Sequence, residues 1–512
     1  MAEFAYTDAL RTLGRSAPAD LNRLLASACG PGRDPVVYLA DFSREVLFPL
    51  TADVPTEQVE GTLAGRAFTT GQPEVSAQQE HARVWVPVLD QAARIGVLAI
   101  SLPDPGQPAI SEAELLGVFA GLVVAGMDRV SDSPHVRRQG QLMSLPASMQ
   151  WDLLPGWGAR MPGAHIAGIL EPAYDVAGDA YDYAVGGDVL HCALIDGMGH
   201  GIGSTLLAAL TVGAYRHARR AGTPLPQMHA AVDGALADGY EDLSFATGII
   251  GRLAVATGRL EWTCAGHPPP LLLRGRNVIG ELAVEPTLPF GLGTGTPEPA
   301  TVDLEPGDAV FFYTDGVTEA HQPGGELFGL DRLADLLERE AAGRHEPEEL
   351  LRRVVQAVLA HQGSDLRDDA TMLLLRWDGP RNRQTGSYRN WPSGDPTWTP
   401  WSGSAKLACS SRMIMPRAPD VRSPGPRGPD EFSPTGGSCC REALTAGDIW
   451  PSCQRISSLT DAGRPGAASP AALAAYAAAP RACAPMCATL AACAAARAAA
   501  AAAAPVTSRA AA

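Results

Sequence analysis

The stretch VLHCALIDGMGHG, residues 189–201, decides the fold. Val189–Ile195 is a largely apolar run of strand length, and it ends in Asp196. Such a run reads as a buried strand, and an acid at its tip stands where the strand leaves the core. Gly197, Gly199 and Gly201 follow and let the backbone turn sharply beside that acid. The arrangement recurs in LEPGDAVFFYTDGVTEA, residues 304–320, where the strand-like run Ala309–Thr314 ends in Asp315. Upstream, VAGDAYD (176–182) supplies Asp179, and downstream Asp368 and Asp369 lead into the apolar run Ala370–Trp377. An Asp next to a Gly is usually a turn former, so any one of these acids is weak evidence. Four of them beside predicted strands are not explained by turns.

Carboxylates gathered at strand ends suit hard divalent cations, which take oxygen ligands and keep several waters. Two such ions about 3.5–4 Å apart clamp a phosphoryl group and activate a water for in-line displacement, so no nucleophilic side chain is needed. The carbonyl of Gly197 is a further oxygen donor at the same place. Helices are expected over Thr205–Ala221, Asp331–Ala341 and Pro347–His361.

The order VAGDAYD, LIDGMGHG, ATGIIGRLAVATGRLEWTCAGHPPPLLLRG, LPFGL, LEPGDAVFFYTDGVTEA, DDATMLLL resembles the metal-dependent PPM-type protein phosphatases, in their bacterial branch typified by the stage II sporulation E phosphatase. The resemblance covers about residues 142–377. It implies an α-β-β-α sandwich of two antiparallel sheets with two divalent cations, manganese or magnesium, at one end between them. Carried over residue by residue, Asp179 matches the acid of the first metal motif, Asp196 the acid that bridges both ions, and Gly197 its carbonyl donor. Asp315 and Asp368 match the remaining two acids, and Asp369 stands where relatives carry a second Asp or Asn that supports the site or a third metal. Asp175 and Asp182 read more readily as solvated or turn-forming acids. The arginine that eukaryotic relatives use to hold the substrate phosphate has no counterpart here. His200 reads as a loop residue rather than a general acid, and His267 as a turn anchor.

Residues 1–130 read as an α/β unit, with helices at Thr7–Leu13 and Ala19–Ala28 and strands at Val36–Ala40, Val84–Leu89 and Arg94–Leu102. Ser111 and Glu114 form a capping-box pattern before the apolar run Leu115–Val124. The order resembles a GAF sensor domain, with VWVPVLDQAARIGVLAISL (84–102) as two central strands. Residues 131–160 are expected to couple the two domains through a helix that begins near Pro146, with Leu142, Leu145, Met149, Leu153 and Leu154 on one face. The phosphatase unit then spans 161–379. Residues 380–512, Pro-rich and then Ala-rich, show no core-forming periodicity and are expected to be a disordered tail.

A chain of 512 residues suggests about three units, and a formal charge of −16 disfavours nucleic acid and anionic membranes as partners. No secretory signal pattern opens the sequence, no apolar run before the tail reaches membrane-spanning length, and Cys29, Cys192 and Cys264 look like small buried residues, so a cytoplasmic protein is expected. The resemblance implies a Ser/Thr phosphatase acting on a phosphorylated anti-sigma-factor antagonist in partner switching. Gating by the sensor and a homodimer through the GAF-like domain and linker are further expectations. The alternative is a catalytically silent regulator that kept the fold. Intact acids argue against it, since converging carboxylates repel without cations.

Overall fold

The computed structural model describes residues 21–380 apart from short segments at 31, 51–52, 78–80, 91–92, 175–177, 240–243, 286, 294, 323–324 and 364–367. Thr7–Leu13, Asp175 and the tail from 381 onward lie outside the described residues. The first domain contains helices α1 (Leu21–Cys29), α2 (Leu63–Thr70) and α3 (Gln107–Met127). Its strands are β1 (Val36–Ala40), β2 (Val46–Pro49), β3 (Glu57–Gln58), β4 (Glu74–Ala77), β5 (Ala82–Asp90) and β6 (Ala93–Leu102). They form one antiparallel sheet in the order β3-β2-β1-β6-β5-β4. Alternation divides the strands between two cores: Val37, Leu39, Val84, Val86, Leu98 and Ile100 face α1 and α3, while Val36, Tyr38, Val97 and Ala99 face α2.

The capping-box expectation at Ser111 is corrected. The helix starts a turn earlier, where extended Gly106 precedes Gln107 and Pro108 occupies the first turn, whose N–H groups have no intrahelical partner anyway. With Glu112 and Glu114 therefore inside it, α3 becomes long and apolar enough to cross a membrane, contrary to the expectation from the sequence. Half of that apolar stretch is buried within the protein, on the sheet.

Two short helices, α4 (Ser133–Arg138) and α5 (Leu145–Leu153), join the domains. As expected, Pro146 lies at the start of α5, and the Ser144 side chain accepts a hydrogen bond from the Ala147 N–H. The expected apolar face is only partly right. Leu142 and Leu145 are exposed, whereas Ala147 and Gln150 are the buried positions and Leu153 and Leu154 pack half-buried on the next domain.

That domain contains β7 (Gly158–Met161), β8 (Ala164–Glu171), β9 (Asp179–Gly186), β10 (Val189–Gly197), α6 (Ile202–Arg220), α7 (Leu225–Gly239), β11 (Ala246–Ala254) and β12 (Arg259–Ala265). There follow β13 (Leu271–Arg274), β14 (Asn277–Glu281), β15 (Ala300–Asp303), β16 (Ala309–Tyr313), the single turn α8 (Asp315–Thr318), α9 (Leu330–Ala342), α10 (Pro347–Gln362) and β17 (Ala370–Trp377). Two antiparallel sheets, β15-β12-β11-β10-β9 and β14-β13-β16-β17-β8-β7, lie face to face. Leu190, Cys192, Leu194, Ile249, Trp262, Phe312, Leu373 and Leu375 fill the space between them. Helices α6 and α7 cover the outer face of the first sheet, and α9 and α10 that of the second. The result is the four-layer α-β-β-α arrangement, with α7 added to the helices read from the sequence. Cys29, Cys192 and Cys264 are buried free thiols, as expected.

Period-two alternation decides where each acid points. On β9, Tyr181 faces the other sheet and Ala180 faces the helices, so Asp179 points inward and Asp182 outward. The outward position corrects the reading of Asp182 as a solvated acid. It is 1% exposed and bridges two arginines of α6, Arg216 at 2.7 Å and Arg219. Removing one partner of a buried ion pair leaves the other uncompensated, so Asp182→Ala should lower stability by about 3 kcal/mol. Denaturant unfolding checks this, and manganese affinity in the folded variant should match the parent. A loss of stability under about 1 kcal/mol would show that the cluster is only a surface pair.

Candidate metal centre

The inward faces of five strands, β9, β10, β11, β16 and β17, deliver acids and hydroxyls to one end of the sandwich. Asp196 and Asp179 are direct cross-strand partners on β10 and β9, so their carboxylates start side by side. From the facing sheet, Thr314 follows β16 on the same inward face as Val310 and Phe312, and Thr371 shares its face of β17 with Leu373 and Leu375. Asp315 opens α8, and Gly316 makes that turn fit: a β-carbon there would stand 2.0 Å from the Asp369 carbonyl oxygen. Only glycine lets Asp315 approach the 368–369 segment so closely. Gly199 and Gly201 adopt positive φ after β10, as the turn there requires. Gly197 ends β10, buried, with its N–H donating to the Gly178 carbonyl at 2.9 Å.

Hydrogen bonds hold the deepest acid from several sides. The Thr314 hydroxyl donates to Asp179 Oδ2 at 2.8 Å, the Asp179 N–H donates to Asp369 Oδ2 at 3.2 Å, and Gln150 of α5 donates through Nε2 to the Asp179 carbonyl. The Asp369 N–H in turn donates to Asp368 Oδ1 at 2.9 Å. On the other side Thr247 lies 3.3 Å from Asp196 Oδ2 through its hydroxyl. The sequence reading missed Thr247, Thr314, Thr371 and Gln150. The signal for the threonines was present, since each is in phase with inward apolar residues, but nothing in the sequence marks Gln150.

The electrostatics are those of an uncompensated acidic cluster. Burial, with Asp196 and Asp369 next, raises the Asp179 pKa well above the carboxylate range. Burial and the Asp315 and Asp368 charges push Asp196 up to about 7, and partial desolvation, Glu319 and Asp368 push Asp315 up to about 6 although its surface still meets solvent. Partial desolvation likewise raises Asp368, which is also open to solvent. Among the described residues no arginine or lysine pairs with these four acids. Nor, among those residues, do three carboxylates or imidazoles close into a ligand cage. The donor set is all oxygen and carries excess negative charge, which fits hard divalent cations and not soft or neutral groups. His200 is exposed on the loop after β10, and His267 is buried, its pKa pushed down to about 4 by desolvation.

A pH dependence follows. Because the folded pKa values of Asp196 and Asp315 lie above the carboxylate value of 3.8, the folded state binds more protons than the unfolded one between about pH 4 and 7. Stability without metal therefore falls as pH rises through that window. His165 acts in the same direction: burial opposes its charge, but Glu346 and Glu348 outweigh that and raise its pKa. In EDTA the melting temperature should be higher at pH 5 than at pH 8, and Asp196→Asn should reduce the difference. A melting temperature that rises with pH over this range in the parent would refute the repelling cluster.

Residues 186–378 match the family model described as stage II sporulation protein E (SpoIIE). The chain is 28% identical to Protein IcfG of Synechocystis sp. over 266 residues, covering 46% of this chain and 39% of that protein. It is 24% identical to the phosphoserine phosphatase RsbU of Bacillus subtilis over 243 residues, covering 46% of this chain and 69% of that one. Among solved structures, the RsbU and RsbW domains of Rv1364c from Mycobacterium tuberculosis are similar at 31% identity, covering 43% of this chain and 62% of that one, with a TM-score of 0.38. The chain thus spans well under half the length of its Synechocystis relative. The match to the stage II sporulation protein E model falls within the second domain, at residues 186–378.

Proposed function

We propose that the chain is a metal-dependent protein serine/threonine phosphatase whose site is formed by Asp179, Asp196, the Gly197 carbonyl, Asp315 and Asp368, with Asp369 in support. The observation that carries the reading is the gathering of these acids at one end of the sandwich with no counter-cation among the described residues. Two manganese or magnesium ions, when bound, would neutralise the phosphoryl charge and acidify an attacking water. The chain's own residues do the rest. Thr314 fixes the Asp179 carboxylate, Gly316 lets Asp315 stand against the 368–369 backbone, and exposed Asp315 and Asp368 leave the mouth open to a protein substrate.

The substrate on this reading is a phosphoserine protein, in keeping with the similarity to the phosphoserine phosphatase RsbU, and specifically a phosphorylated anti-sigma-factor antagonist in the cytoplasm, as the sequence resemblance implies. The domains are 1–130, a GAF-like sensor; 131–160, a coupling segment; 161–379, the phosphatase; and 380–512, the tail. Gating by the sensor is supported by direct contacts. Arg44 of the sensor donates to the Gly168 carbonyl in β8 at 2.8 Å, Glu60 pairs with Arg352 of α10 at 2.7 Å, and Trp157 packs in the sensor's second core. A homodimer is supported by the exposed Leu115, Val118 and Leu122 on the outer face of α3. The test is release of phosphate from a phosphoserine antagonist protein with manganese, magnesium or EDTA. Tight binding of that protein without hydrolysis in either metal would favour the silent regulator.

A further inference from the structure

His267 lies on the crossover from β12 in one sheet to β13 in the other, and it is 6% exposed. Its own carbonyl accepts a hydrogen bond from Cys264 Sγ at 3.0 Å, which anchors the turn. The ring reaches further. Nε2 lies 3.1 Å from the Tyr313 carbonyl oxygen, which can only accept, so Nε2 carries the proton. Nδ1 can then only accept, so it takes the single Thr247 hydroxyl proton at 3.0 Å; the Thr247 oxygen, 3.3 Å from Asp196 Oδ2, turns a lone pair to that acid and leaves its negative charge undiminished for a cation. Tyr313 ends β16 two residues before Asp315, while Thr247 is the cross-strand partner of Asp196. One imidazole therefore joins the end of the strand that presents Asp315 to the side chain beside Asp196, across two different sheets.

We infer that His267 is a positioning residue that sets the spacing and orientation of Asp196 and Asp315 for cation binding, acting through Thr247 and the Tyr313 carbonyl. This rests on the proposal that those acids hold divalent cations. A hydrogen-bonded side chain behind a metal-binding group commonly carries about 10- to 100-fold in metal affinity. The two bonds have separate functions: the Nε2 bond fixes where the ring stands between the sheets, and the Nδ1 contact fixes the Thr247 rotamer and with it the group next to Asp196.

The experiment is a calorimetric titration of manganese into the metal-free full chain, at a temperature well below melting, for the parent, His267→Ala, Thr247→Val, the double variant and His267→Gln. His267→Ala and Thr247→Val should each weaken manganese binding about tenfold. The double variant should lose no more than the worse single, because the two residues act in one chain. His267→Gln can still donate to Tyr313 but not reach Thr247, so it should weaken binding as Thr247→Val does while keeping the parent melting temperature more nearly than His267→Ala. Parent-like affinity in Thr247→Val and His267→Gln, or losses that add in the double variant, would overturn the inference while leaving the metal site standing. If the parent itself binds no manganese, the metal reading fails and this role falls with it. If His267→Ala does not fold, Thr247→Val and His267→Gln decide the question.

Discussion

Asp196→Asn yields a folded protein that melts no lower than the parent in EDTA and hydrolyses a phosphoprotein at least about a thousandfold more slowly, a barrier increase of about 4 kcal/mol. The two halves of that result have one cause. Asp196 is the acid most surrounded by its own kind, with Asp179 across the strand pair and Asp315 and Asp368 opposite, and its pKa is pushed up to about 7. Asn keeps the size and the acceptor facing Thr247 but removes the charge. Without metal the substitution relieves repulsion, which is unusual for a buried polar position. With metal it takes away the charge that the cations are bound by. A fall of several degrees in the EDTA melt would mean that Asp196 is needed for packing. Near-parent turnover in manganese would show that the acids do not form the working site.

How far the site could be read from sequence depended on period. A two-residue alternation on long apolar strands fixes which acids share a face, so Asp179, Asp196, Asp315 and Asp368 could be grouped from their place at strand ends alone. The same rule, applied one position further, would have separated Asp182 from Asp179, because residues an odd number of positions apart on a strand cannot share a face. The closeness of Asp182 to the motif hides this. In helix α5 of the coupling segment the period is 3.6, the helix is only nine residues long, and its core-facing residues include an amide. An apolar stripe drawn through Leu142 and Leu145 finds the wrong face, because what buries α5 is Gln150 reaching the backbone of Asp179 together with small Ala147. At the start of α3 a good capping pattern loses to Gly106 and Pro108, which set backbone geometry and not just one hydrogen bond. Contacts between distant segments, such as Arg44 with Gly168 or His267 with Thr247, have no local periodicity to betray them.

Leu153→Glu is expected to lower basal phosphatase turnover about tenfold while changing manganese affinity by less than about threefold, because it acts on the docking of α5 and not on the acids. Leu153 ends α5, half-buried against the cluster beneath α6 and α7, and its carbonyl accepts from Arg216 at 2.7 Å. Replacing a half-buried leucine with a charge forfeits about 1–1.5 kcal/mol of burial, enough to shift a two-state docking equilibrium by about an order of magnitude. One turn earlier, Gln150 holds the Asp179 carbonyl, so undocking loosens the backbone that carries the deepest acid. The Asp179 carboxylate itself stays tied to Thr314, which is why metal affinity should suffer less than turnover. Gln150→Ala should reproduce the direction of the effect without adding charge. The measurements are turnover on one phosphoprotein at saturating manganese, manganese titration, and the melting temperature. An inert tether would show only the lower melting temperature, with turnover equal to the parent in both variants, and that outcome would rule out control of the site through this helix.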